Sequence, residues 1–162
     1  MLTMIFKRMF LFVAVSIFSF NLHAADWTMA SGYPKSNFHT QNIIKFIDDV
    51  KSTTSVNINL NPNDTLIKLD AIKTSLQRGQ IPIGEIRLGI YGNEDPMYIL
   101  AGLPFIAPDY SSAWLLKDVQ MEYLQEKFAK KGLMILYTAP WPGQGFYTKF
   151  PVNSVCLLYT SP

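Results

Sequence analysis

Hydrophobic and polar positions alternate along this chain in two periods, and the switches between them mark out its elements. Asp26 to Ala30 reads as a short strand, broken by Ser31-Gly32-Tyr33-Pro34. Ile43, Phe46, Ile47 and Val50 then recur at i, i+3, i+4 and i+7, one face of an amphipathic helix. Ser36 or Asn37 can cap its start, and Ser52 to Ser55 ends it. Val56 to Leu60 alternates apolar and polar, as a half-buried strand does.

Asn61-Pro62-Asn63-Asp64 is a turn whose last residue can cap a second helix. Leu66, Leu69, Ile72 and Leu76 give that helix a buried face, and Gly79 stops it. Ile83 to Tyr91 reads as a third strand, and Asn93-Glu94-Asp95-Pro96 starts a short helical turn. After the apolar connection Leu103-Pro104-Phe105, the longest helix is expected from about Ser112 to Lys131, its apolar side formed by Trp114, Leu115, Val119, Met121, Leu124 and Phe128. Leu133 to Ala139 is almost continuously apolar, the pattern of a strand covered on both faces. A Pro/Gly-stiffened loop over 140–145 leads to an extended segment, Phe146 to Phe150.

This β-α-β-α-β-α-β order predicts an α/β fold, a parallel sheet with helices on both faces. Ligands in such sheets bind at the carboxyl ends of the strands. The residues to inspect are therefore Ser31 to Tyr33, Arg87 to Tyr91, and Trp141 to Tyr147.

The first residues obey a different logic. Lys7 and Arg8 precede the apolar run Met9 to Phe20, and Leu22-His23-Ala24 ends on a small residue, the layout of a cleaved secretory signal over 1–24. An uncleaved N-terminal anchor is the alternative; the run is shorter than the roughly 20 residues a bilayer span needs. Removal of 1–24 takes Lys7, Arg8 and His23 with it. The formal charge of +2 then falls to zero, and His39 is the one remaining histidine. The product is expected to be exported and, in a bacterium, periplasmic.

Charge and chemistry narrow the function. A balanced charge without a basic run excludes nucleic acid as a partner. One cysteine excludes an intrachain disulfide framework and a Cys-rich zinc site. There is no phosphate-binding glycine loop, nucleophile elbow or zinc-protease motif, and no cofactor, metal site or catalytic residue is assigned. Asp48-Asp49 reads as a solvated helix end, His39 as a solvated or capping side chain, and Cys156 as an inert thiol. Glu85 and Arg87 stand at i and i+2 and share a face of a strand. They form either a local ion pair or, with Arg87 at the strand tip, a clamp for a carboxylate. Trp141, Phe146 and Tyr147 around Gln144 make either a core-covering loop or aromatic walls with one amide handle.

Four ordered motifs then carry a resemblance: W-T-M-A-S-G-Y from Trp27; L-Q-R-G-Q-I-P-I-G-E-I-R-L-G-I-Y-G from Leu76; N-E-D-P-M-Y-I-L-A-G-L-P-F from Asn93; and K-G-L-M-I-L-Y from Lys131 with Y-T-K-F-P-V-N-S ending at Ser154. Over 25–154 the chain resembles the DctP-like solute-binding receptors of tripartite ATP-independent periplasmic (TRAP) transporters. The resemblance implies the first lobe of a type II periplasmic-binding-protein fold, a parallel-sheet three-layer lobe with the second lobe largely absent. It implies capture of a small organic anion, a carboxylate, for ion-gradient-driven uptake through membrane permease subunits, and no catalysis. Ser31 and Arg87 stand where the family places polar ligand contacts, and Gln144 where some members carry a ligand-binding arginine. Together the residues and the resemblance nominate Ser31, Tyr33, Glu85, Arg87, Tyr91, Trp141, Gln144 and Tyr147 as ligand-binding. The family's next segment, which holds its main carboxylate-binding arginine, has no counterpart in 155–162, read as a non-matching tail. The alternatives are an exported enzyme with an unrecognised site and a periplasmic ligand-sensing or interaction protein on the same fold.

Overall fold

A computed structural model describes residues 25–143, 147–149 and 151–154. The expectations for the leader 1–24, the tail 155–162 and Gln144 fall outside the described residues. Strand β1 (Asp26–Ala30) is followed by α1 (Phe38–Thr53), β2 (Asn57–Asn61), α2 (Ile72–Gln77) and β3 (Ile83–Gly84). Two 3₁₀ segments, Leu88–Tyr91 and Pro96–Gly102, then lead to α3 (Tyr110–Ala129). The three strands form one parallel sheet in the order β2-β1-β3. No helix among the described residues is long and apolar enough to cross a membrane.

Helices cover both faces, as the alternating pattern requires. On one face Met29, Ile58 and Ile83 pack with Ile43 of α1, flanked by Phe46, Ile47 and Val50. The expected stripe of α1 is thus the stripe that is buried. Asn37 caps this helix, its side chain accepting from the His39 N–H at 2.8 Å. On the other face Ala30 packs with Ile72 of α2 and with Ile81. Met29 and Ala30 are neighbours in β1, and period-2 pleating sends them to opposite sides of the sheet. The close approach of α2 to β3 needs Gly84, because a Cβ there would lie 2.7 Å from Ile72 Cγ2.

A third cluster, Tyr91, Tyr98, Leu124 and Phe128, joins the 3₁₀ segments to α3, with Leu133 and Ile135 packed on it. Charge reinforces this junction. Lys73 is 2% exposed; its ammonium pairs with Glu94 and lies 4.0 Å from the centre of the Tyr91 ring. Lys131, just past α3, pairs with the same carboxylate. Asp95 caps the second 3₁₀ segment through Met97 N, accepts from the Tyr123 hydroxyl at 2.7 Å and pairs with Lys127 at 3.0 Å. The Tyr123 and Met97 donors, with the Lys127 ammonium, hold the Asp95 carboxyl down to about 2.

Four expectations are corrected. The third strand ends at Gly84 rather than Tyr91, because the chain turns into a 3₁₀ segment at Leu88. The second helix starts at Ile72; the residues before it form turns in which Asp64 accepts from the Leu69 N–H at 2.8 Å, and Leu66 is exposed. Leu133 to Ala139 forms no strand: no ladder joins it to the sheet, Leu133 and Ile135 pack instead on the third cluster, and Met134 is 79% exposed. The apolar side of α3 is only part buried, with Leu124 and Phe128 in the core and Trp114, Leu115 and Val119 exposed. Nothing among the described residues covers both faces of the extended segment or the whole stripe of α3.

Two substitutions probe these contacts. Gly84→Ala overpacks the sheet–α2 contact and is expected to cost about 1–3 kcal/mol in urea unfolding; a neutral result would show that α2 can shift freely. Glu94→Ala leaves the Lys73 ammonium buried without its carboxylate and is expected to cost about 1–3 kcal/mol, discounted for the half-exposed carboxylate. Lys73→Met keeps the Glu94–Lys131 pair and is expected to stay within about 1 kcal/mol of the parent. Equal losses in the Glu94 and Lys73 variants would contradict this assignment.

Candidate functional site

The site begins with strand register. Ala30 of β1 stands opposite Gly84 of β3, and Glu85 N donates to Ala30 O at 2.9 Å. The residues that leave these strands at their carboxyl ends, Ser31 and Glu85, are therefore side by side. Ser31 is fully buried, its N–H bonded to Asn61 O of β2 at 3.1 Å, and its Oγ donates to the Glu85 carboxylate. Burial pushes the Glu85 carboxyl above its ordinary value of 4.5, and the Ser31 hydrogen bond pulls part of the way back.

Arg87 lies two residues on, at the start of the first 3₁₀ segment, and is exposed. Its guanidinium carbon is 6.0 Å from the centre of the Trp141 ring. No carboxylate among the described residues pairs with it, Glu85 included. The local ion pair, one of the two readings of this dipeptide pattern, is therefore not formed. Tyr33 lies within the field of both groups: burial raises its phenol, Arg87 opposes that, and Glu85 adds to it. The Tyr33 hydroxyl is buried without a hydrogen-bond partner among the described residues, and its ring meets Trp141 edge-on at 5.4 Å.

Five of the eight nominated residues thus gather at the strand tips: Ser31, Tyr33, Glu85, Arg87 and Trp141. Tyr91 does not join them. It is 8% exposed in the third core cluster, where its hydroxyl donates to Asp70 O at 3.2 Å, because the 3₁₀ turn carries it away from the strand end. Tyr147 is 96% exposed. Gln144 is outside the described residues.

Sequence reasoning missed His39 and Tyr137. The solvated or capping histidine is instead 6% exposed, with burial lowering its pKa and Nε2 without a hydrogen-bond partner among the described residues. Its ring sits 4.5 Å from Trp141 and 4.1 Å from Phe38. The available signal was the Asn37 cap, which places His39 in the first helical turn, next to the loop after β1. Tyr137 packs on Phe46 at 5.3 Å, and its phenol is raised by burial and then by the Glu85 charge. His39, Tyr137 and Thr138 also line a cleft of about 870 Å³ between α1, α3 and the extended segment; Ser31, Glu85, Arg87 and Trp141 do not line it.

The Glu85 shift sets a pH dependence. A carboxyl whose folded pKa lies above its unfolded value contributes stability that is complete below the unfolded value and is lost as pH rises through the folded one. Thermal unfolding midpoints are therefore expected to favour Glu85→Gln over the parent increasingly from about pH 4 to 7. A gap that closes or reverses over that range would contradict the burial of this carboxyl.

No family model and no curated protein matches the chain. Solved structures do. The Bordetella pertussis extracytoplasmic solute receptor DctP6, described as binding pyroglutamic acid, is 40% identical over 73% of this chain and 40% of its own, with a TM-score of 0.71. DctP7 of the same organism, also described as binding pyroglutamic acid, is 35% identical over 83% of this chain and 46% of its own, TM-score 0.78. A TRAP solute-binding protein from an unidentified marine microbe, in complex with co-purified pyroglutamate, is 36% identical over 82% and 44%, TM-score 0.76. The chain spans less than half the length of each. Its described lobe, a parallel sheet with helices on both faces, matches one lobe of the solute-binding receptors of TRAP transporters, and the chain belongs with that family.

Proposed function

We propose that the whole protein to which these residues belong is a receptor, not an enzyme, that captures a small organic acid for TRAP-type, ion-gradient-driven uptake. It acts in the periplasm after export by the leader 1–24, and hands its ligand to membrane permease subunits. The observation that carries this reading is Arg87: an exposed guanidinium without a carboxylate partner among the described residues, set beside an aromatic ring at the carboxyl ends of β1 and β3. Such a group binds a carboxylate through two parallel hydrogen bonds. Trp141 and Tyr33 supply apolar walls, and Ser31 with Glu85 supplies a polar floor. The three similar receptors, each described with pyroglutamic acid or pyroglutamate, make that acid the first ligand to try.

Calorimetric titration of the whole protein with pyroglutamate and a panel of small carboxylates tests the reading. Arg87→Ala is expected to weaken binding by about 1.5–3 kcal/mol, the range for a hydrogen bond to a charged group. Unchanged affinity in that variant would return Arg87 to a structural role, and binding of no carboxylate in the panel would overturn the carboxylate reading.

A further inference from the structure

Glu85 is the odd member of an anion site. A negative side chain beside the proposed carboxylate contact repels the ligand it would help to bind, unless it meets a different part of that ligand. A carboxylate has about four acceptor positions, and among the described residues Glu85 fills one, with the Ser31 hydroxyl. Buried Ser31 is itself fixed between β2 and β3, so the carboxyl is held at the strand tips. Among the described residues the Tyr33 hydroxyl nearby has no hydrogen bond, and Arg87 does not pair with Glu85. What remains is a half-buried acceptor in want of a second donor.

We propose that Glu85 is a specificity residue that receives an N–H or O–H donor of the ligand while Arg87 receives its carboxylate. This rests on the carboxylate reading above and narrows it. Glu85 and Arg87 are two residues apart, so their Cα atoms lie at most about 7 Å from one another. The ligand class is therefore an organic acid with a hydrogen-bond donor a few atoms from its carboxylate, such as a lactam acid or a hydroxy acid. A plain dicarboxylate is disfavoured, since its second charge would face Glu85.

Two matched pairs of probes, titrated into the whole protein, decide the matter: pyroglutamate against the lactone acid in which ring oxygen replaces N–H, and a 2-hydroxy acid against its deoxy parent. The donor-bearing member of a bound pair is expected to bind at least about tenfold more tightly. In Glu85→Gln, whose amide can turn to accept or to donate, that preference is expected to shrink. Equal affinity within a bound pair overturns the inference and leaves the carboxylate reading standing. Full preference retained in Glu85→Gln also overturns it. Binding of neither pair, nor of any carboxylate in the panel, overturns the carboxylate reading and this inference with it. Should Glu85→Gln fail to fold, the comparison of ligands on the parent protein decides alone.

Discussion

The pairing of β1 with β3 is the constraint on which the site depends. One ladder position, Ala30 opposite Gly84, brings Ser31 against Glu85 and points Arg87 out beyond them. A slip of one residue would reverse every side chain on β3 and send Glu85 to the other face. Register is held because both faces are buried. Met29 and Ile83 belong to the α1 side, and Ala30 packs with Ile72 on the α2 side, with Gly84 leaving room for that contact. Core packing and site geometry are thus one requirement rather than two. The same logic explains why a carboxyl can be kept where burial disfavours its charge: its hydrogen-bond donor is delivered by the sheet itself.

A second constraint holds the chain beyond the sheet. Lys73 is a buried cation on α2 that reaches the carboxylate of Glu94, which also holds Lys131 at the end of α3. Tyr91 and Tyr98 surround that ammonium, and Asp95 ties the adjoining turn to Tyr123 and Lys127. Desolvation of the ammonium is offset by a paired carboxylate and an aromatic face. The network anchors the 3₁₀ segments and α3 to the first βαβ units. From there the extended segment passes Ile135 and Tyr137 and delivers Trp141 to the strand tips.

Local signals proved legible where they coincide with burial. The stripe on α1, the Asn37 cap, the Gly79 stop with φ of +67°, and the alternation in β2 all specify what forms. Strand order and residue type point to the ends of three expected strands; Ser31, Tyr33, Glu85, Arg87 and Trp141 stand near one another beside β1 and β3, whereas Tyr91 and Tyr147 do not join them. The illegible parts depend on partners distant in the chain. The apolar run 133–139 has strand composition, but a strand exists only beside another strand; here Leu133 and Ile135 pack on the third cluster and no ladder forms. Tyr91 has the residue type of a ligand wall, yet a 3₁₀ turn buries it over Lys73. His39 looked solvated because its surroundings, Phe38 apart, come from the loop after β1 and from Trp141.

A crystal structure of the whole protein with its bound organic acid tests the central claim most directly. The ligand carboxylate is expected against the Arg87 guanidinium, with an N–H or O–H of the ligand within hydrogen-bond distance of a Glu85 oxygen. A ligand seated elsewhere, in the cleft between α1 and α3 for instance, with Arg87 and Glu85 facing water, would contradict it.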